Sequence, residues 1–215
     1  AGAVNDLAGI TTTTVGTLTI AQNDAASTAA PTTGAINVGA TNNVVVTGGK
    51  LNVNAAVTAA SFDASAATGA ITISATNATT SFKTGSGNDT FTSGGASKLT
   101  IDGGAGSDTV TFAAADYSGS TVSLTSIETL DITNSGVSIA ASAVTGGSYV
   151  ISGDAAGDTL NVKVVAAVGE VVDLSGTATT GTVTLTGLGG TDTLTGSSTT
   201  GMKFVGAAGA DTIVG

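Results

Sequence analysis

Seven short segments of this chain share one pattern: a turn residue followed by apolar and polar residues in strict alternation. Five begin with glycine: GTLTI at 16–20, GAINV at 34–38, GKLNV at 49–53, GAITI at 69–73 and GTVTL at 181–185. SKLTI at 97–101 and STVSL at 120–124 are looser copies. Period-two alternation over so few residues describes a half-buried strand. No amphipathic helical pattern is sustained anywhere, and Thr, Val, Gly and Ser outnumber the good helix formers. The chain therefore has to bury its apolar side chains between many very short strands.

The first spacings between copies are 18, 15 and 20 residues. A unit recurring every 18–20 residues points to a β-solenoid, in which each coil stacks on the one before it. The reading is an all-β fold, a parallel β-solenoid or β-roll, with about 11 coils over the 215 residues. Apolar residues make up 41% of the chain but aromatics only 3%, which suits a thin core of small β-branched side chains. An immunoglobulin-like array is the alternative, since sandwiches also use many strands.

A second motif lies over the first. Aligned on aspartate, TGSGNDTFT (84–92), GGAGSDTVT (103–111), GDAAGDTLN (153–161), GLGGTDTLT (187–195) and GAAGADTIV (206–214) all read Asp-Thr-apolar after a glycine-bearing turn. Asp89 and Asp108 are 19 residues apart, and so are Asp192 and Asp211. That is one coil, so each pair should stand carboxylate above carboxylate on one edge. Two stacked carboxylates resist ionising together unless a cation lies between them. Carboxylates together with the carbonyls of a tight glycine turn make an oxygen cage suited to Ca²⁺. The alternative is that glycines make the solenoid corners and Asp caps the turn by bonding backbone N–H groups, with no metal. Asp102 is either an extra ligand or a solvated turn residue; Asp6, Asp24, Asp63, Asp116 and Asp173 fall outside the pattern and read as surface or turn residues.

Composition removes other chemistry. The chain has no Cys, no His and no Arg, and its net charge is −10. That excludes the Ser-His-Asp triad, a Cys nucleophile and ordinary zinc or copper sites. It also argues against nucleic acid as a partner. No apolar run approaches a membrane span. The chain begins at Ala1 and stops just after a motif copy, so it reads as a piece of something longer.

The aspartate motif resembles the RTX nonapeptide G-G-x-G-x-D-x-(apolar)-x of calcium-binding β-rolls. The copy at 103–111 fits throughout. Thr84 replaces the first glycine of its copy, Leu188 and Ala207 the second, and 153–161 has Asp154 and Ala156 in place of glycines. With the Thr/Ala/Gly/Ser/Val strands, the scattered motifs and SIETLDIT at 126–133, the chain is similar to RTX-type bacterial surface-layer proteins of the Caulobacter type. The resemblance implies Ca²⁺ held between coils by Asp89, Asp108, Asp158, Asp192 and Asp211, and by the turns of Gly85, Gly87, Gly103, Gly104, Gly106, Gly187, Gly189 and Gly206.

It implies calcium-free coils at 1–83, continuous with RTX-like calcium-binding coils at 84–215. The implied function is structural rather than enzymatic: a type I secreted S-layer component that self-assembles with Ca²⁺ into a two-dimensional cell-surface lattice. Its partners would be copies of itself and cell-surface polysaccharide bound through other parts, without membrane insertion. An RTX-type adhesin, or the calcium-binding C-terminal region of a type I secreted enzyme, would share the local features. Ice binding through Thr-x-Thr ladders is a minor option, because Asn161 and Val214 interrupt them.

Overall fold

A computed structural model describes residues 7–12, 16–22, 32–53, 57–75, 81–95, 98–114, 116–133, 136–153, 158–164, 169–198 and 201–215. The chain divides into two compact units, one of residues 1–110 with 125–127, the other of 111–124 with 128–215. Residue 84, where the aspartate motifs begin, lies inside the first unit. Asp6 and Asp24 lie outside the described residues.

Both units are parallel β-solenoids. In the first, one sheet orders Leu7–Thr11, Thr32–Asn37, Leu51–Val53, Ile71–Ala75 and Thr90–Ser93. A second sheet orders Thr17–Gln22, Asn43–Gly48, Ser61–Ala67, Ser81–Lys83 and Lys98–Asp102. The second unit carries three runs. They are Thr129–Ile132, Val150–Gly153 and Ala178–Thr179; then Asp116–Tyr117, Val137–Ala140, Thr159–Lys163, Thr182–Thr186 and Met202–Val205; and Val171–Asp173, Thr193–Thr195 and Thr212–Val214. Pairs such as Thr17–Asn43, Thr90–Thr72, Thr159–Thr182 and Thr193–Thr212 are all parallel. That removes the immunoglobulin-like alternative, whose sheets are antiparallel.

Coil length departs from the expected 18–20 residues. Thr72 pairs with Thr90, but Thr17 pairs with Asn43 and Val150 with Ala178. The turns number about eight rather than 11, because several coils are longer than the repeat suggested. The first spacing of the glycine-led segments is also not a coil. GTLTI lies in one sheet and GAINV in the other, whereas Leu51 and Ile71 are true coil neighbours. Both sheets alternate identically, so the pattern alone cannot assign a strand to either.

Each coil contributes one inward side chain to columns that run from coil to coil. In the first unit Val44, Phe62, Phe82 and Ile101 form one column, and Val53, Ile73 and Phe91 another. All of these side chains are buried. In the second unit the buried columns include Val137–Leu160–Val183 and Val172–Leu194, the latter continued in register by Ile213, which is exposed. The core is less uniformly small than composition suggested. Phe62, Phe82, Phe91, Phe112 and Tyr117 are among the largest fully buried side chains. The Phe62 and Phe82 rings lie 6.2 Å apart, Phe82 and Phe91 6.1 Å, and Phe112 and Tyr117 5.0 Å. Few aromatics thus fill much of the interior, where offset and edge-on ring pairs add to area burial.

Candidate functional site

The five Asp-Thr-apolar triplets all sit at the same local place. Thr90, Thr109, Thr159, Thr193 and Thr212 each open a strand, with the aspartate as the last residue of the preceding turn. Alternation then sends Phe91, Val110, Leu160 and Leu194 into the core. Asp89, Asp108, Asp158 and Asp192 are themselves buried.

The stacked pairs form as the 19-residue spacing requires. The Asp89 amide donates to Oδ1 of Asp108 at 2.8 Å, and the Asp192 amide donates to Oδ1 of Asp211 at 3.0 Å. The Asp108 and Asp211 carboxylates therefore reach the main chain of the coil before them. Asp89 does the same to the Ile71 amide at 2.7 Å, and Asp192 to the Glu170 amide at 2.9 Å. These aspartates accept backbone N–H groups, and the amides belong to a neighbour 18–22 residues back. Asp158 opens its strand in the same way, but its neighbour one coil on is Gly181, so it has no stacked motif partner there.

The turn glycines divide by position. The first makes room for the carboxylate: a Cβ on Gly103 would lie 2.5 Å from Oδ2 of Asp108, and one on Gly187 2.6 Å from Oδ2 of Asp192. Gly206 faces Oδ2 of Asp211 similarly, and Gly153 lies against the Asp158 side chain. Later positions let main chain pack on main chain. A Cβ on Gly85 would strike the Ala67 carbonyl, one on Gly104 the Gly85 carbonyl and one on Gly106 the Gly87 carbonyl. Gly87 lies against the backbone of Gly69 and Ala70, and Gly189 bridges to Ala208. Gly104 and Gly106 also have φ values of +83° and +139°, which other residues rarely adopt. Gly190 and Gly209 belong with them, since a Cβ on Gly209 would fall on the Gly190 carbonyl. Alignment with Gly87 and Gly106, two residues before the aspartate, is the sequence signal that identifies them.

The first pair of turns carries further ties. Thr84 donates its hydroxyl to the Gly103 carbonyl at 2.8 Å, and the Ser107 amide donates to Oδ1 of Asn88 at 3.0 Å. Thr84 stands where other copies have glycine and uses its extra atoms to bind the next coil. Asp102 closes the Lys98–Asp102 strand in an ion pair: its Oδ2 lies 3.1 Å from Lys83 Nζ, and its Oδ1 accepts from Gly104 N–H at 3.3 Å.

Burial dominates the electrostatics of Asp89. Desolvation raises its pKa above the usual carboxylate value, while the hydrogen bond from the Ile71 amide favours the charged form. The single Thr84 hydroxyl proton is committed to Gly103, so Oδ2 of Asp89 is buried without a hydrogen bond. Oδ2 of Asp192 is in the same condition. Such an oxygen is costly unless something charge-complementary satisfies it. Among the described residues no three acidic, His or Cys side chains gather to hold a metal. A hard cation here would have to combine an orphan carboxylate oxygen with turn carbonyls. The donor chemistry suits Ca²⁺ in that form.

The chain matches no family model, no curated protein and no solved structure.

Proposed function

We propose that the chain is a structural segment of a secreted, calcium-responsive bacterial surface-layer protein. The observation that supports this most is the pair of buried, hydrogen-bond-free carboxylate oxygens, Oδ2 of Asp89 and Oδ2 of Asp192, each in a glycine-rich turn beside a second motif aspartate. Ca²⁺ would be held by these carboxylates with carbonyls of their turns, and bound there it would neutralise buried negative charge. A ligand bound only by the folded chain stabilises it by mass action. Stability would thus follow calcium concentration and rise outside the cell, where self-assembly into a lattice takes place.

The test is circular dichroism and thermal unfolding of the chain in EGTA and in millimolar Ca²⁺, followed by electron microscopy of the calcium-loaded sample. A midpoint raised by Ca²⁺ and ordered sheets on the grid are the expected results. Unfolding that ignores Ca²⁺ refutes the metal reading. Calcium-dependent unfolding without ordered assemblies refutes the lattice reading for this segment and favours an adhesin.

A further inference from the structure

We infer that the motif aspartate is a coil-to-coil register latch that works without a bound ion. This goes beyond the calcium reading and does not rest on it. Four motif aspartates make the same bond: Oδ1 accepts the main-chain N–H of the residue holding the equivalent place one coil earlier. Two of the four recipients, Ile71 and Glu170, stand at places in their coils where no motif aspartate does. The bond therefore needs no second carboxylate and no ion between two carboxylates. It needs only an amide one coil back.

Register is what this chain most lacks the means to fix. Its strands are three to seven residues long over most of both units and are built from a few similar residues, as in TFTS, TVTF and TLT. A slip of one residue would turn every inward side chain outward, and repetitive strands specify register weakly. The aspartate immediately precedes the strand, so fastening it to one particular amide sets the strand's first pairing. Thr90 then falls opposite Thr72, and Thr193 opposite Val171. The first glycine of the motif fits this role, since its missing Cβ leaves the carboxylate room to lie against the turn. An acceptor of this shape does not have to be charged. Asparagine offers the same Oδ1.

Amide hydrogen exchange of the whole chain in excess EGTA tests the inference, with wild type, Asp192→Asn and Asp192→Ala compared at the Glu170 amide. The latch predicts protection of that amide in the calcium-free wild type. Asp192→Asn should retain it within about threefold, and Asp192→Ala should lose about 10- to 100-fold, the effect of leaving one buried donor unpaired. Equal loss in both variants overturns the latch, as does an unprotected Glu170 amide in the wild type in EGTA. If the alanine variant fails to fold, the wild type and the asparagine variant still decide the matter. Calcium titration of wild type separates the two readings. Protection in EGTA with no response to Ca²⁺ removes the metal reading alone, and protection appearing only with Ca²⁺ removes the latch alone.

Discussion

Aspartates in this chain do two different jobs according to where the turn places them. Asp89, Asp108 and Asp192 are buried at the end of glycine-rich turns, and their partners lie 18–22 residues away on the preceding coil or in the turn that follows. Asp63 lies within the Ser61–Ala67 strand, Asp116 opens the Asp116–Tyr117 strand and Asp173 closes Val171–Asp173, and each accepts the amide two residues on: Ser65 at 2.9 Å, Ser118 at 2.8 Å and Ser175 at 2.9 Å. All three read Asp-x-Ser, a local turn that any short segment could make in isolation. The difference teaches that one residue type reinforces the local chain in one setting and joins distant coils in the other. Only the second kind contributes to the order of the stack.

The sharpest way to break that contrast is through the glycines beside the two kinds of aspartate. A Cβ on Gly103 would collide with the Ser126 carbonyl and lie 2.5 Å from Oδ2 of Asp108, whereas one on Gly119, in the turn after Asp116, would meet nothing within 4 Å. Gly103→Ala should therefore cost about 3 kcal/mol or more in denaturant unfolding. Gly119→Ala should be neutral or slightly stabilising, because it restricts the unfolded chain. Comparable losses in the two variants would show that the close approach at Gly103 is not what the turn depends on.

A smaller effect is expected from the aspartates themselves. Asp192→Ala leaves the Glu170 amide without its acceptor and should lower stability by about 2 kcal/mol. Asp63→Ala removes an exposed local bond within the Ser61–Ala67 strand and should move the urea midpoint far less. Between these lies Asn88→Ala, which deletes one tie from Ser107 and should cost about 1 kcal/mol. If Asp63→Ala proves as costly as Asp192→Ala, the division into local and inter-coil aspartates fails.

The smallest effect is in the response to acid, where Asp89 and the three locally bonded aspartates should titrate in opposite directions from 3.8. Side-chain and backbone hydrogen bonds from Ser65 and Ser118 hold Asp63 and Asp116 low, and the Ser175 amide and hydroxyl do the same for Asp173. Their contribution to stability is present above the unfolded carboxylate value and is lost as pH falls through the lowered one. Asp89 is raised by burial, so the folded chain binds its proton more tightly than the unfolded chain does. Its contribution is complete below 3.8 and is lost as pH rises through the raised value. Carboxyl NMR titration in metal-free buffer should show the Asp89 midpoint above 3.8 and the other three below it. Four coincident midpoints would contradict the burial difference.

Much of the fold was legible in the residues. Alternation in LTI, AITI and TVTL identifies half-buried strands, and the recurrence of the pattern indicates stacked coils. The strand starts at Thr90, Thr109, Thr159, Thr193 and Thr212 could be read from Asp-Thr-apolar alone. Coil length was not legible where the coils are longer, as between Val150 and Ala178, because a loop that adds residues leaves the strand pattern unchanged. Nor could the sequence foresee that Thr84, a departure from the glycine motif, becomes a donor to Gly103 one coil on.

Neighbouring residues set the local grammar of this protein: which residues alternate, where a turn must be glycine, and where a carboxylate precedes a strand. Those are properties of a few neighbouring residues, set by side-chain direction along a strand and by the conformational freedom of glycine. Tertiary structure decided which sheet each strand joins and which atom each aspartate serves. Those outcomes depend on groups brought together from 18–22 residues apart, and the amide that Asp192 accepts exists in its place only once the coil before it has formed.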